Sequence, residues 1–149
     1  MAELGRRQSD RGFQDSPDLL AVVTADGVLK IVNAAWQKAL GYRPDELIGR
    51  PFFKLVDDHD RVTAHKLVNP RLAMAGAQVL ELALRCKDLS YRSFLWNRRY
   101  MVAEQAIFIT GRDITERKKM ETTQNLRLYE LYSQDRKAKG PSGGSGSGG

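Results

Sequence analysis

Cysteine is nearly absent: of 149 residues only Cys86 is one. A lone thiol excludes an intramolecular disulfide and a CxxC metal knuckle, and it fits a reducing compartment, here expected to be the cytoplasm. Histidine is almost as scarce. His59 and His65 both precede the C-terminal segment, so that segment offers no histidine to accept a phosphoryl group. No apolar run reaches the ~18 residues that span a membrane. The N-terminal MAELGRRQSDRGF lacks the apolar stretch of a secretory leader, so neither a span nor a leader is expected in this segment. A P-loop, a GxGxxG turn, an HExxH pair and a GxSxG elbow are all missing. No enzyme and no metal site is expected.

The net charge is +6 and the pI is about 9.6, yet the surplus is spread along the chain. No basic cluster alternates with aromatics, so nucleic acid is not expected as a partner. The hydrophobic fraction of 42% is ordinary for a globular protein. The length suits one domain with flanks, and a core of about 100 residues can bury enough apolar surface to fold alone.

Residues 1–15 are polar and aperiodic, and read as a flexible lead-in. Leu19 to Thr24 and Val28 to Val32 are strand-like runs around Ala25-Asp26-Gly27, a hairpin signal. Ala34 to Leu40 suits a short helix stopped by Gly41. Pro44 to Gly49 suits another, poorly capped because Arg43 cannot accept an amide bond. Asp57 to Ala75 reads as the longest helix before the C-terminal segment, with Val62, His65, Val68 and Leu72 on one face and Pro70 set to kink or end it. Val79 to Lys87 alternates, with Leu80, Leu82, Leu84 and Cys86 on one side. Tyr91 to Val102 and Gln105 to Thr110 are the last two predicted strands. They are apolar on both faces, which predicts a sheet covered on both sides. Asp113 is placed as an N-cap with Glu116 three residues on, a D-x-x-E capping box that opens a helix over 114–138. From 139 to 149 the composition is that of a Gly/Ser linker or appended tail. The helix is not a sustained coiled coil, for only Leu126, Leu128, Leu131, Tyr129 and Tyr132 supply apolar positions.

The run Gly111-Arg112-Asp113-Ile114-Thr115-Glu116-Arg117-Lys118-Lys119 closely resembles the end of a PAS sensor domain, where an Asp-Ile-Thr junction joins the last strand to an outgoing signalling helix. Ser16-Pro17-Asp18-Leu19-Leu20, Asn33-Ala34-Ala35-Trp36, the stretch Gly41 to Arg50 and Arg85-Cys86-Lys87-Asp88 resemble the family in order and spacing. The resemblance covers residues 16 to about 120, with the sensor domain placed at 16–113. It implies an α+β fold: a five-stranded antiparallel sheet, first and last strands adjacent at its centre, with short helices on one face and a C-terminal signalling helix. Where the family usually has Gly, this chain has Leu89, so that loop needs another turn or carries a positive φ.

The resemblance implies a regulatory sensor and dimerisation module of a larger signalling protein, such as a histidine kinase or a cyclic-dinucleotide enzyme. Gly111, Asp113, Thr115 and Glu116 would transmit the signal to an output domain. The expected homodimer uses the outer sheet face and flanking helices. No cofactor is expected; the alternative is a haem- or flavin-loaded redox or gas sensor. The light-sensing branch needs a cysteine where Phe52 stands. His65 is the haem candidate, with His59 in the loop before it, while Trp36 and Trp96 are pocket candidates for a flavin. A small carboxylate would need an inward-facing cation among Arg85, Arg92, Arg98 and Arg99, and charged strand residues are usually solvated.

Overall fold

A computed structural model describes residues 11–148, with side chains to 134. The described residues up to Ile114 and the segment from Thr115 form two separate units. The described part of the first unit opens with a helical turn, α1, at 11–15. The lead-in read over 1–15 holds a helical turn in its described part; residues 1–10 lie outside the described residues. Asn33 holds this turn to the sheet. Fully buried, it accepts the Leu20 amide at 3.0 Å through Oδ1 and donates to the carbonyls of Phe13 and Asp18, each at 2.9 Å. A buried amide group that makes these bonds recovers the cost of leaving water.

Strands β1 (Leu19–Thr24), β2 (Leu29–Val32), β3 (Leu80–Arg85), β4 (Tyr91–Met101) and β5 (Ala106–Asp113) form one sheet in the order β2-β1-β5-β4-β3. All pairings are antiparallel. The first and last strands lie side by side at the centre, as the resemblance implies. Gly27 turns the first hairpin at φ +81°. The outer edge of β2 is covered by the chain at 49–51, where Leu29 donates to the Arg50 carbonyl and Gly49 donates to that of Leu29, which removes a free sheet edge.

Between β2 and β3 lie α2 (Ala35–Leu40), α3 (Pro44–Leu47), 3-10 turns at Phe52–Leu55 and Asp58–Asp60, α4 (Arg61–Val68) and α5 (Pro70–Ala75). Arg43 supplies no side-chain cap to α3, as expected. Glu46 reaches back instead and accepts the Arg43 amide at 2.9 Å. The long helix predicted over 57–75 is divided. Pro70 starts α5 and Asn69 caps it, accepting the amides of Arg71 and Leu72. Of the face expected for this stretch only Val68 turns inward. Ala64, Leu67 and Val68 are buried, whereas Val62 is 69% exposed and His65 also faces outward. Leu89 adopts φ +74°, the strained of the two options.

The core lies between the inner sheet face and these helices. Leu19, Ala21, Val23, Leu82, Leu84, Phe94, Trp96, Ile107 and Ile109 come from alternate strand positions. The second unit is α6 (Thr115–Gly148). It runs past the expected end at 138 and through the Gly/Ser segment predicted as a linker. Its apolar residues Met120, Leu126, Leu128, Tyr129, Leu131 and Tyr132 are all exposed.

Candidate functional site

Trp96, at the middle of β4, is the hub of the interior. Its ring centroid lies 6.1 Å from Trp36, 5.8 Å from Phe52 in an edge-on contact and 5.6 Å from Phe94, all within the range of favourable aromatic pairs. Both indole N–H groups are satisfied by backbone: Trp36 donates to the Leu20 carbonyl at 2.9 Å and Trp96 to that of Leu82 at 3.0 Å. The two pocket candidates are thus fully buried and pack against each other rather than around open space. Phe52, in place of the adduct cysteine, is part of the same cluster.

The Trp96 ring lies over Gly111, its partner across the β4–β5 pairing. A Cβ on Gly111 would stand 2.7–2.9 Å from three ring atoms, closer than carbon atoms pack. Glycine is required there by close approach rather than by backbone conformation. Two residues on, Asp113 is the last residue of β5. Its Oδ2 accepts Arg92 Nε at 2.6 Å, and Ile114 donates its amide to the Ser93 carbonyl at 2.8 Å. The capping-box expectation placed the strand end too early. β5 runs three residues past Thr110 because its register with β1 continues to Leu19–Gly111 and that with β4 to Phe94–Asp113. The helix begins at Thr115, so the N-cap position falls on Ile114 and the Asp113 carboxylate is engaged by β4. Thr115 is buried, and Glu116 is exposed, 3.8 Å from Lys119 Nζ.

The haem candidate is not directed at the core. His65 is exposed and its Nε2 lies 3.0 Å from Asn69 Nδ2. His59 is also exposed; its Nδ1 lies 2.8 Å from Asp57 Oδ1. That bond, with the nearby charge, raises the imidazole's pKa above its ordinary value and lowers that of Asp57. Among the described residues no three His, Cys, Asp or Glu side chains group as metal ligands.

The four arginines separate. Arg92 pairs with Asp113. Arg99 lies on the outer face, its guanidinium 5.9 Å from the Phe108 ring centroid. Arg85 donates to the Lys54 carbonyl at 3.1 Å and borders a 360 Å³ cavity with Tyr42, Glu46, Arg50 and Lys54. Arg98 turns inward, 7% exposed, and burial lowers its pKa. Strand alternation carried this signal, since Arg98 shares the parity of Phe94 and Trp96, but a charged residue on a strand reads as solvated.

The sequence model described as the PAS fold matches residues 13–119. The chain belongs to the PAS family. Solved structures agree in fold. A PAS domain of an HTR-like protein from Haloarcula marismortui is 24% identical, with a TM-score of 0.62 over 76% of this chain and 94% of that one. A domain of a sensory box sensor histidine kinase/response regulator from Geobacter sulfurreducens is 15% identical, with a TM-score of 0.61 over 76% and 97%. The PAS domain of the quorum-sensing receptor RpfR from Cronobacter turicensis, in complex with BDSF, is 17% identical, with a TM-score of 0.58 over 67% and 96%. No curated protein sequence matches. Among the described residues of this PAS domain, no helix is long and apolar enough to cross a membrane.

Proposed function

We propose that this PAS domain is a regulatory, non-catalytic sensor module of a larger signal-transduction protein, a histidine kinase or a cyclic-dinucleotide enzyme, working in the cytoplasm. The observation that carries the reading is the length of β5. It is paired on both sides at the sheet centre, passes beneath Trp96 at Gly111 and continues to Asp113, one residue short of the helix α6. A shift of the core aromatics bears directly on the strand that leads out. Gly111 and Asp113 couple the strand to the core and to β4, and Thr115 and Glu116 open the helix that receives the motion. Fusing the chain to an output domain and replacing Asp113 with Ala tests this. Loss of response in a folded protein supports the reading, and a normal response with only a lowered melting temperature removes it.

The module works as a homodimer through the outer sheet face and flanking helices. Ile31 and Leu95 are exposed on that face beside the half-buried Val22 and Phe108, and the apolar residues of α6 are unburied. It carries no resident chromophore, since the aromatic cluster fills the interior and His65 is turned outward. A Soret or flavin band in the purified protein would replace this with the haem- or flavin-loaded reading.

A further inference from the structure

Away from the aromatic hub, a cavity of 360 Å³ opens where the 49–51 segment, α3 and the 3-10 turn Phe52–Leu55 meet the end of β3. No residue of α4, α5, β4 or β5 borders it, so it is distinct from the interior those elements enclose. Buried Leu29, Leu47 and Leu55 give it apolar walls. Three cations stand around it: Arg50 and Lys54, both exposed, and Arg85, half-buried.

Each cation is carried by backbone that is already fixed. Arg50 donates its amide to the Leu47 carbonyl at 3.0 Å and accepts that of Leu29 at 2.9 Å, on the covered edge of β2. Lys54 sits in the 3-10 turn, its amide on the Pro51 carbonyl at 3.1 Å. Arg85 ends β3 opposite Tyr91, and the Tyr42 hydroxyl donates to its carbonyl at 3.0 Å. The Arg85 side chain gives one of its five N–H groups to the Lys54 carbonyl at 3.1 Å, which draws two cationic residues together. Among the described residues no carboxylate pairs with Arg50, Lys54 or Arg85. Glu46, the acidic residue at the cavity, is already matched: its Oε1 accepts the Arg43 amide at 2.9 Å and Lys87 Nζ at 3.0 Å. Surface cations ordinarily stand apart in water. Here three unmatched ones share one concave site, and a cleft lined by one sign of charge concentrates ions of the other.

The donor set selects the ion. Two guanidinium groups and an ammonium exceed what a single carboxylate can use. A phosphate monoester carries nearly two charges at neutral pH and three acceptor oxygens, and the planar fork of arginine takes those oxygens in pairs. The leucine walls call for an apolar body on the ester. The volume lies at the lower end for small-molecule sites, room for about one ring beside the phosphate.

We propose that Arg50, Lys54 and Arg85 form a binding site for a small phosphate monoester with a compact apolar body, seated between α3 and the 3-10 turn at the end of β3. The site does not depend on the sensor reading, since none of its residues lies on β5 or α6.

The test uses the whole 149-residue chain with phenyl phosphate as the probe, in calorimetry and thermal melts at fixed ionic strength. Phenyl phosphate is expected to bind and to raise the melting temperature. Phenyl sulfate, of similar shape with one charge, and inorganic phosphate, which lacks the ring, are each expected to bind at least about tenfold more weakly. Arg50→Gln with Lys54→Gln alters two exposed side chains that make no hydrogen bond or ion pair within the described residues, so the fold should persist. This pair is expected to weaken phenyl phosphate by at least about tenfold. Lys66→Gln with Arg71→Gln removes the same charge from exposed positions on α4 and α5 and is expected to change the affinity by less than about twofold. Glu46→Gln takes a negative charge from the cavity and is expected to tighten binding about threefold. Failure of phenyl phosphate to bind, equal binding of phenyl sulfate or inorganic phosphate, or equal loss in the α4–α5 control pair overturns the proposal. Phosphatidylcholine vesicles bearing phosphatidic acid present the same head on a surface. Sedimentation with them in the absence of phenyl phosphate binding would replace the small ligand with a lipid surface and overturn it as well.

Discussion

At the scale of single residues, two positions have consequences that can be measured. Gly111→Ala places a methyl group inside the Trp96 ring's contact distance. Overpacking of this kind costs about 1–3 kcal/mol, to be read from urea denaturation. Adding Trp96→Leu should cost less than the sum of the two single changes, since the pair share one contact. The second position is His59. Its pKa is raised by Asp57, so its share of stability is full below the unfolded histidine value and is lost as pH rises through the folded one. Asp57 is lowered, so its share is present above the unfolded carboxylate value and lost as pH falls through the folded one. The turn is therefore best held in mildly acidic solution. NMR titration should place the His59 midpoint above the ordinary 6.5, and Asp57→Asn should lower it toward that value, Asp58 and Asp60 still raising it. Gly111 was read from the sequence as part of a junction. Its reason for being glycine was not legible, because nothing local says that a ring from a strand ten or more residues away lies over it.

At the scale of elements, the Arg92–Asp113 pair ties the end of β5 to β4. Both side chains are about one-third exposed, so solvent screening limits the pair to about 0.5–1 kcal/mol. A double-mutant cycle with Arg92→Ala and Asp113→Ala should return a coupling of that size. In α6 the segment beyond Gly140 carries Pro141 and several glycines, which disfavour helix by about 3 and 1 kcal/mol each. Amide exchange there should be the fastest in the helix. The strands were legible for different reasons: the first two are joined by Asp26-Gly27, the third alternates, and the last two are runs rich in aromatic and β-branched residues, apolar on both faces. β5 was read three residues short because Gly111, Arg112 and Asp113 have low strand preference, and only pairing on both sides keeps them extended. The face of α4 was misread at Val62 and His65, because the buried stripe runs through the small Ala64 with Leu67 and Val68, and a small residue carries little apolar signal. Arg98 was among four candidates, and choosing it required the parity of β4 to be trusted over the usual solvation of charge.

At the scale of the whole molecule, self-association is the prediction that draws on the sheet and α6 together. Light scattering should show a concentration-dependent mass, and Leu95→Glu should shift it toward the monomer without lowering the melting temperature, because the side chain is exposed. A mass that stays monomeric into the high micromolar range would remove the dimer. The aromatic hub also has an optical consequence. The chain's two tryptophans are both fully buried, with centroids 6.1 Å apart. Indoles that close share their excitation, so the folded protein should give a strong near-ultraviolet dichroism couplet and blue emission. All of that light originates at the floor beneath which Gly111 passes. A displacement of the exit strand should therefore change the colour and ellipticity of the protein itself, and its timing can be followed by stopped-flow optics without a label.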